Sequence, residues 1–140
     1  MKFYIASSFT NKETVRVLAS RLIEEGFTQT YDWTKNERAT TLTDLARIGE
    51  EEKNAVMSAD FFVLLLPGGK GSHVELGIAI GLGKRVYIYS PDNELNHLET
   101  TPTFYYVKNV KRLTGTIESF IKQIINSERE QTFKVKENER

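Results

Sequence analysis

Apolar and polar positions follow two rhythms along this chain. Short apolar runs at residues 2–6, 27–33, 61–66 and 85–89 read as strands. Between them, apolar residues recur three and four apart. Val15, Leu18, Leu22 and Ile23 give one helical face, ended by Gly26 as a residue just past a helix end would do. Leu45, Ile48, Ala55 and Val56 give a sparser face over 43–57. Ile117, Phe120, Ile121, Ile124 and Ile125 give a third over 116–127. A short fifth strand is expected at 104–107. Residues 7–11 and 90–93 carry turn chemistry, 35–41 is a polar loop, and 96–103 is a loop. Thr10 and Glu13 fit a capping box for the first helix.

The run at 61–66, Phe-Phe-Val-Leu-Leu-Leu, has no polar position and suits a strand buried on both faces. It is too short to cross a membrane. Pro67-Gly68-Gly69-Lys70-Gly71 follows, then a helix expected over 72–82. Strand, glycine loop, helix is the arrangement in which backbone N–H groups at a helix start hold an anion. Strands alternating with helices predict an α/β fold, a flavodoxin-like (Rossmann-like) three-layer sandwich on a parallel sheet ordered 2-1-3-4-5. That order sets the loop at Ser7-Ser8 beside the glycine loop. The glycines and Ala79 of the 72–82 helix suit close packing on the sheet.

Glu75 is the acidic residue of this central stretch, and its spacing supports two readings. Ser72 as N-cap with Glu75 three residues later completes a capping box. A carboxylate there, kept ionised by the helix dipole at the mouth of a ligand crevice, also suits a nucleophile.

Composition narrows the partners. Nineteen basic against 19 acidic residues leave no net charge, which argues against a broad footprint for nucleic acid or an anionic membrane. There is no cysteine, and the two histidines, His73 and His97, lie far apart, so no metal-ligand spacing emerges. The first residues are too polar for a signal peptide, and a soluble cytoplasmic protein is expected. The length suits one domain, placed at 1–127. Eight of the 13 residues in 128–140 are charged, so that segment reads as a tail outside the core. Within it, 132–136 alternates weakly and is not counted as a strand.

Three stretches together resemble the nucleoside 2-deoxyribosyltransferase superfamily, including its 2′-deoxynucleoside 5′-phosphate N-hydrolase branch. They are Tyr4-Ile5-Ala6-Ser7-Ser8, then Ser58-Ala59-Asp60 with the run that follows, and Gly71-Ser72-His73-Val74-Glu75-Leu76-Gly77. The resemblance implies that Glu75 is the nucleophile on the anomeric carbon of a nucleoside or nucleotide. It implies that Tyr4 and Ser8 reach the sugar, and that Glu52, or its neighbour Glu51, assists the leaving base. The N-hydrolase branch carries Asp at the Glu52 position and a serine at the Gly69 position. A 5′-phosphate would here meet backbone N–H groups with Ser72 or Lys70. Trp33 offers a surface on which a base stacks, or serves the core. His73 reads as a surface or phosphate-side contact. The resemblance implies no cofactor or metal, and a homo-oligomer in which a neighbour completes the site.

The glycine stretch is also similar to the PGGxGTxxE motif of the Lonely Guy phosphoribohydrolases, with Ser72 in place of threonine. Both resemblances imply attack on an N-glycosidic bond. The family resemblance allows transfer and hydrolysis alike, and hydrolysis is expected because a water-accessible glycosyl-enzyme hydrolyses by default. A non-catalytic nucleotide-binding module and an enzyme cleaving the nicotinamide–ribose bond of a dinucleotide are the competing readings.

Overall fold

The protein, described by a computed structural model over residues 1–92 and 94–139, is built on a five-stranded parallel sheet ordered 2-1-3-4-5. Its strands are β1 (Lys2–Ala6), β2 (Thr28–Gln29), β3 (Phe61–Leu65), β4 (Arg85–Ser90) and β5 (Val110–Thr114). Four helices flank it: α1 (Lys12–Glu24), α2 (Leu42–Ser58), α3 (Lys70–Gly81) and α4 (Ile117–Asn138). α1 packs against α4, and α2 against α3. Among the described residues no helix is long and apolar enough to cross a membrane.

The apolar pattern explains the centre. Every residue of β3 is buried, because helices cover both its faces. Phe3 pairs with Phe61 and Tyr4 with Phe62 in the β1–β3 register, and each pair of rings stacks at about 6 Å. Gly26 takes φ +96°, a conformation that releases the chain from α1 at little steric cost.

Outside α3, four features depart from expectation. The strand expected over 27–33 keeps only Thr28–Gln29 in the sheet. The side chain of Asp32 accepts from the Thr34 N–H and turns Trp33–Lys35 into a 3-10 helix, which ends the strand. The α1 cap is not the expected box: a 3-10 turn, Phe9–Asn11, precedes the helix, and Glu13 pairs with Arg16 instead. The fifth strand is not at 104–107. Pro102 leads Thr103–Tyr106 into a 3-10 helix, and Asn109, at φ 72°, turns the chain into β5.

The fourth departure is the C-terminal segment. Residues 128–138 continue α4, including 132–136, and Glu128 is fully buried. Its carboxylate accepts a two-pronged pair from the Arg85 guanidinium, at 2.7 and 2.9 Å, and a hydrogen bond from the Tyr87 hydroxyl. The face of Phe120, Ile121, Ile124 and Ile125 therefore extends one turn further on an ion pair. Asn93 of the expected 90–93 turn and Arg140 of the expected tail lie outside the described residues.

Candidate active site

Parallel pairing of β1 with β3 brings their carboxyl ends together, and side chains lock the loops that follow. The Ser7 hydroxyl donates to the Leu65 carbonyl at 2.7 Å, and the Ser8 N–H donates to the Pro67 carbonyl at 3.1 Å. The crevice beyond this junction is where doubly wound sheets bind ligands. Here it is a cleft of about 390 Å³.

The helix forming its glycine side begins two residues earlier than its sequence suggests. Gly69 is the N-cap of α3 and Ser72 the third helical residue. The Ser72 hydroxyl accepts from the Gly69 N–H at 2.6 Å and donates to the Gly69 carbonyl at 2.8 Å. Ser72 thus closes the cap, and Glu75 takes no part in it. The box of Ser72 with Glu75 fits the sequence pattern, but the glycine-rich backbone starts the helix upstream of it.

Glu75, freed from capping, sits in the second turn and is 9% exposed. Its carboxyl accepts a hydrogen bond from the Tyr4 hydroxyl, and the same hydroxyl lies 3.3 Å from Glu52 Oε2. Tyr4 is wholly buried beneath the cleft. Burial pushes the Glu75 carboxyl up to about 8; the Tyr4 hydrogen bond pulls it down, and the neighbouring Glu52 charge raises it again. Desolvation therefore outweighs the helix dipole, contrary to the expectation of a plainly ionised carboxylate. At neutral pH the Glu75 carboxyl therefore keeps a proton beside Glu52. Burial first, then the two carboxylates, push the Tyr4 phenol well above its ordinary range, so it remains a donor.

Ser8, Trp33, Glu52, Gly69, Gly71, Ser72 and Glu75 all line this cleft, with Tyr4 hydrogen-bonded to its two acids from below. Glu51 points elsewhere, to the Tyr31 hydroxyl at 2.9 Å and to Arg47. Trp33 is 6% exposed, and its indole N–H donates to the Ile5 carbonyl at 2.6 Å. Most of its ring serves the core. Lys70 and His73 are not on the cleft wall.

The cleft also has walls that sequence reading missed. Phe9 packs on Trp33 with ring centroids 5.6 Å apart and leaves half of its ring open to solvent. An aromatic residue in the turn after the first strand was the available signal. Asn36, Glu37, Arg38 and Ala39 close the far side, and Leu45 and Ile48 of α2 add apolar surface. A polar loop without periodicity carries no comparable signal.

A buried acid, Glu75, beside a half-buried one, Glu52, and an aromatic wall at a switch point define a small-molecule site in a doubly wound α/β protein. The family model for nucleoside 2-deoxyribosyltransferase matches residues 3–127, and the chain belongs to that family. Its members are enzymes that act on nucleosides or nucleotides by cleaving or exchanging a glycosidic bond. No curated protein is significantly similar in sequence.

Solved structures share the fold at low identity. The Clostridium botulinum CMP N-glycosidase BcmB has a TM-score of 0.66 at 17% identity, over 89% of this chain and 98% of that one. The 2-deoxyribosyltransferase of Bacillus psychrosaccharolyticus has a TM-score of 0.56 at 22% identity, over 71% of this chain and 79% of that one. A conserved protein from Enterococcus faecalis has a TM-score of 0.62 at 15% identity, over 91% and 98% of the two chains.

Proposed function

We propose that the protein hydrolyses the N-glycosidic bond of a 2′-deoxynucleoside or nucleoside, or of its 5′-monophosphate, through a glycosyl ester on Glu75. The observation that carries this reading is the single Tyr4 hydroxyl shared by two carboxyl groups of one cleft. Tyr4 donates to Glu75 and pulls its carboxyl toward the ionised form that attack needs, and the proton Glu75 gives up on substrate binding passes to the neighbouring Glu52 on its way to the leaving base.

In the first step a Glu75 oxygen bonds the anomeric carbon as the bond to the base nitrogen breaks. The bonding pair leaves with the base, which takes the proton from Glu52. In the second step Glu52, now a carboxylate, removes a proton from water, and the hydroxide attacks the anomeric carbon. The ester breaks, Glu75 recovers its carboxylate, and the free sugar leaves. Ser8, Gly69, Gly71 and Ser72 position the sugar side. Phe9, with the exposed edge of Trp33, offers the base a stacking surface.

The chain is further proposed to act as a homo-oligomer. Leu42 and Val74, on helices α2 and α3 that pack together, are 84% and 65% exposed, and Leu45, one turn on from Leu42, lines the cleft. A second copy seated there would cover the apolar surface and narrow the cleft mouth.

Incubation with nucleosides, their 5′-monophosphates and NAD, with chromatography of released base, tests the activity. Release of base from a nucleoside or nucleotide, with a sugar adduct on the Glu75 peptide by mass spectrometry, is the expected result. Tight binding without turnover would replace the enzyme with a binding module. A new nucleoside as main product when a second base is supplied would replace hydrolysis with transfer.

A further inference from the structure

The glycine loop has an unusual source of order. A Cβ placed on Gly69 or Gly71 would meet no side chain and no other element within 4 Å, so hydrogen bonds rather than side-chain packing order this turn. Glycine backbone left to itself is the most mobile in a chain. Yet both residues line the cleft. Their conformation rests on hydrogen bonds, and these converge on Gly69.

One set comes from Ser72, inside the cleft. The other comes from behind. His73 Nδ1 lies 2.8 Å from the Gly69 carbonyl oxygen, and its Nε2 lies 2.6 Å from the Tyr105 hydroxyl. A carbonyl only accepts, so Nδ1 carries a proton and donates it, and Nε2 pairs with the Tyr105 hydroxyl. The two rings stack at 5.8 Å and 15°. Tyr105 is itself fixed, buried in the core and with its carbonyl accepting from Arg112 of β5 at 2.7 Å. Gly68 fits closely beneath this arrangement: a Cβ there would meet Ser72 Oγ at 2.7 Å and His73 Cε1 at 3.1 Å.

We infer that His73 is a positioning residue, which with Tyr105 clamps the glycine loop from outside the cleft and holds Gly69 to Ser72 in their substrate-binding shape. The inference rests on the reading of the cleft as the substrate site. His73 faces a separate hollow, lined also by Leu66, Pro67 and Thr101, and touches no cleft-facing group but the Gly69 backbone. Glu75 is held independently by Tyr4. Loss of the clamp therefore weakens substrate binding more than the chemical step.

The test combines amide hydrogen exchange with steady-state kinetics on the full chain. In His73→Phe, which keeps a stacking ring and loses both hydrogen bonds, exchange at Gly69 to Ser72 should rise about 10-fold, as expected for losing one favourable hydrogen bond. KM should rise about 10-fold with kcat within about 3-fold, by the same hydrogen-bond loss confined to binding. Tyr105→Phe should move both in the same direction. His73→Asn, whose side-chain N–H reaches where Nδ1 does, should restore most of the protection. A folded His73→Phe protein with unchanged exchange and KM overturns the clamp, as does His73→Asn no better protected than His73→Phe. If the unaltered protein releases no base from any nucleoside or nucleotide, the proposed function falls, and the exchange comparison still decides the clamp.

Discussion

The Tyr4 hydroxyl hydrogen-bonds the Glu75 carboxyl across 71 residues of sequence, from the fully buried second position of β1's apolar core to the second turn of α3. The contact sits where neither partner reaches bulk water freely. A donor aimed at one acid of a close pair favours the charge on that acid. In the proposed mechanism this donor marks Glu75, rather than Glu52, as the acid that attacks.

Tyr4→Phe removes that bias while the ring keeps its stack on Phe62. The Glu75 carboxyl then holds its proton more tightly, the opposite of what attack requires. Loss of a charge-assisted hydrogen bond should lower kcat/KM at pH 7 by about 10-fold or more. The alkaline limb of the pH profile should move to higher pH. An unchanged profile would show that Tyr4 is only a core aromatic.

The pH dependence has a definite sign. The folded Glu75 carboxyl is raised from its ordinary 4.5 to about 8 by burial. The native state therefore keeps a proton that the unfolded chain gives up between those values, and stability falls as pH rises through that window. Melting temperature should decline from 4.5 toward 8 in the native protein and decline less in Glu75→Gln. Activity follows the same proton: kcat/KM should fall above about pH 8, where the pair loses it. A rate that climbs through that pH would reverse the assignment of acid and nucleophile.

How much of this was legible in the sequence depends on how local the cause is. β3 announced itself, because six apolar residues in a row leave no polar face. The strand order followed from the alternation of elements. The start of α3 was misplaced because Ser72 satisfies the same pattern as an N-cap or as the third helical residue, and only the Gly69 backbone tells them apart. β5 was missed because Lys111 and Arg112 break its apolar run, and the aromatic Phe104-Tyr105-Tyr106 stretch beside it looked more strand-like. Glu128 counted as tail charge because its partners, Arg85 and Tyr87, are over 40 residues away. The acids of the site were named through family resemblance. That one hydroxyl touches both is a distance, which spacing cannot give.

Glu128→Ala tests the anchor of α4. It leaves the Arg85 guanidinium and Tyr87 hydroxyl without their acceptor, though Arg85 is a third exposed and partly rehydrates. Unfolding free energy should fall by about 2 kcal/mol, below the usual cost of breaking a fully buried pair. The network lies at the amino end of β4, opposite the cleft, so kcat/KM should stay near native. No loss of stability would return residue 128 to an incidental role.

Val74→Arg tests the proposed face between copies. Val74 is exposed, so the charge costs the isolated fold little. Sedimentation of the native protein should give a multiple of the chain mass, and Val74→Arg should shift it toward one chain. A native monomer at micromolar concentration would remove the homo-oligomer.

The separation of cap from chemistry gives the most decisive pair of variants. Had Glu75 been the capping residue, its loss would cost stability and its chemistry would be incidental. The structure assigns the cap to Ser72 and Gly69, so the two roles sit on different side chains. Ser72→Ala should cost about 1 kcal/mol, the usual cost of a lost cap, and leave a protein that still turns substrate over. Glu75→Gln should do the reverse. A protonated Glu75 and a glutamine have nearly the same shape, and the amide oxygen still accepts from Tyr4 while the NH₂ group faces Glu52. Stability at neutral pH should change by less than about 1 kcal/mol. The amide cannot form the glycosyl ester, so base release should fall by about 1,000-fold or more, as when a nucleophile is removed from a group that acts as a unit. Glu75→Gln turnover near the native rate, measured on any substrate the native protein cleaves, would sink the nucleophile. The pair of Glu75 and Glu52 would then be a binding feature, and bond cleavage would have to be sought in another group of the cleft.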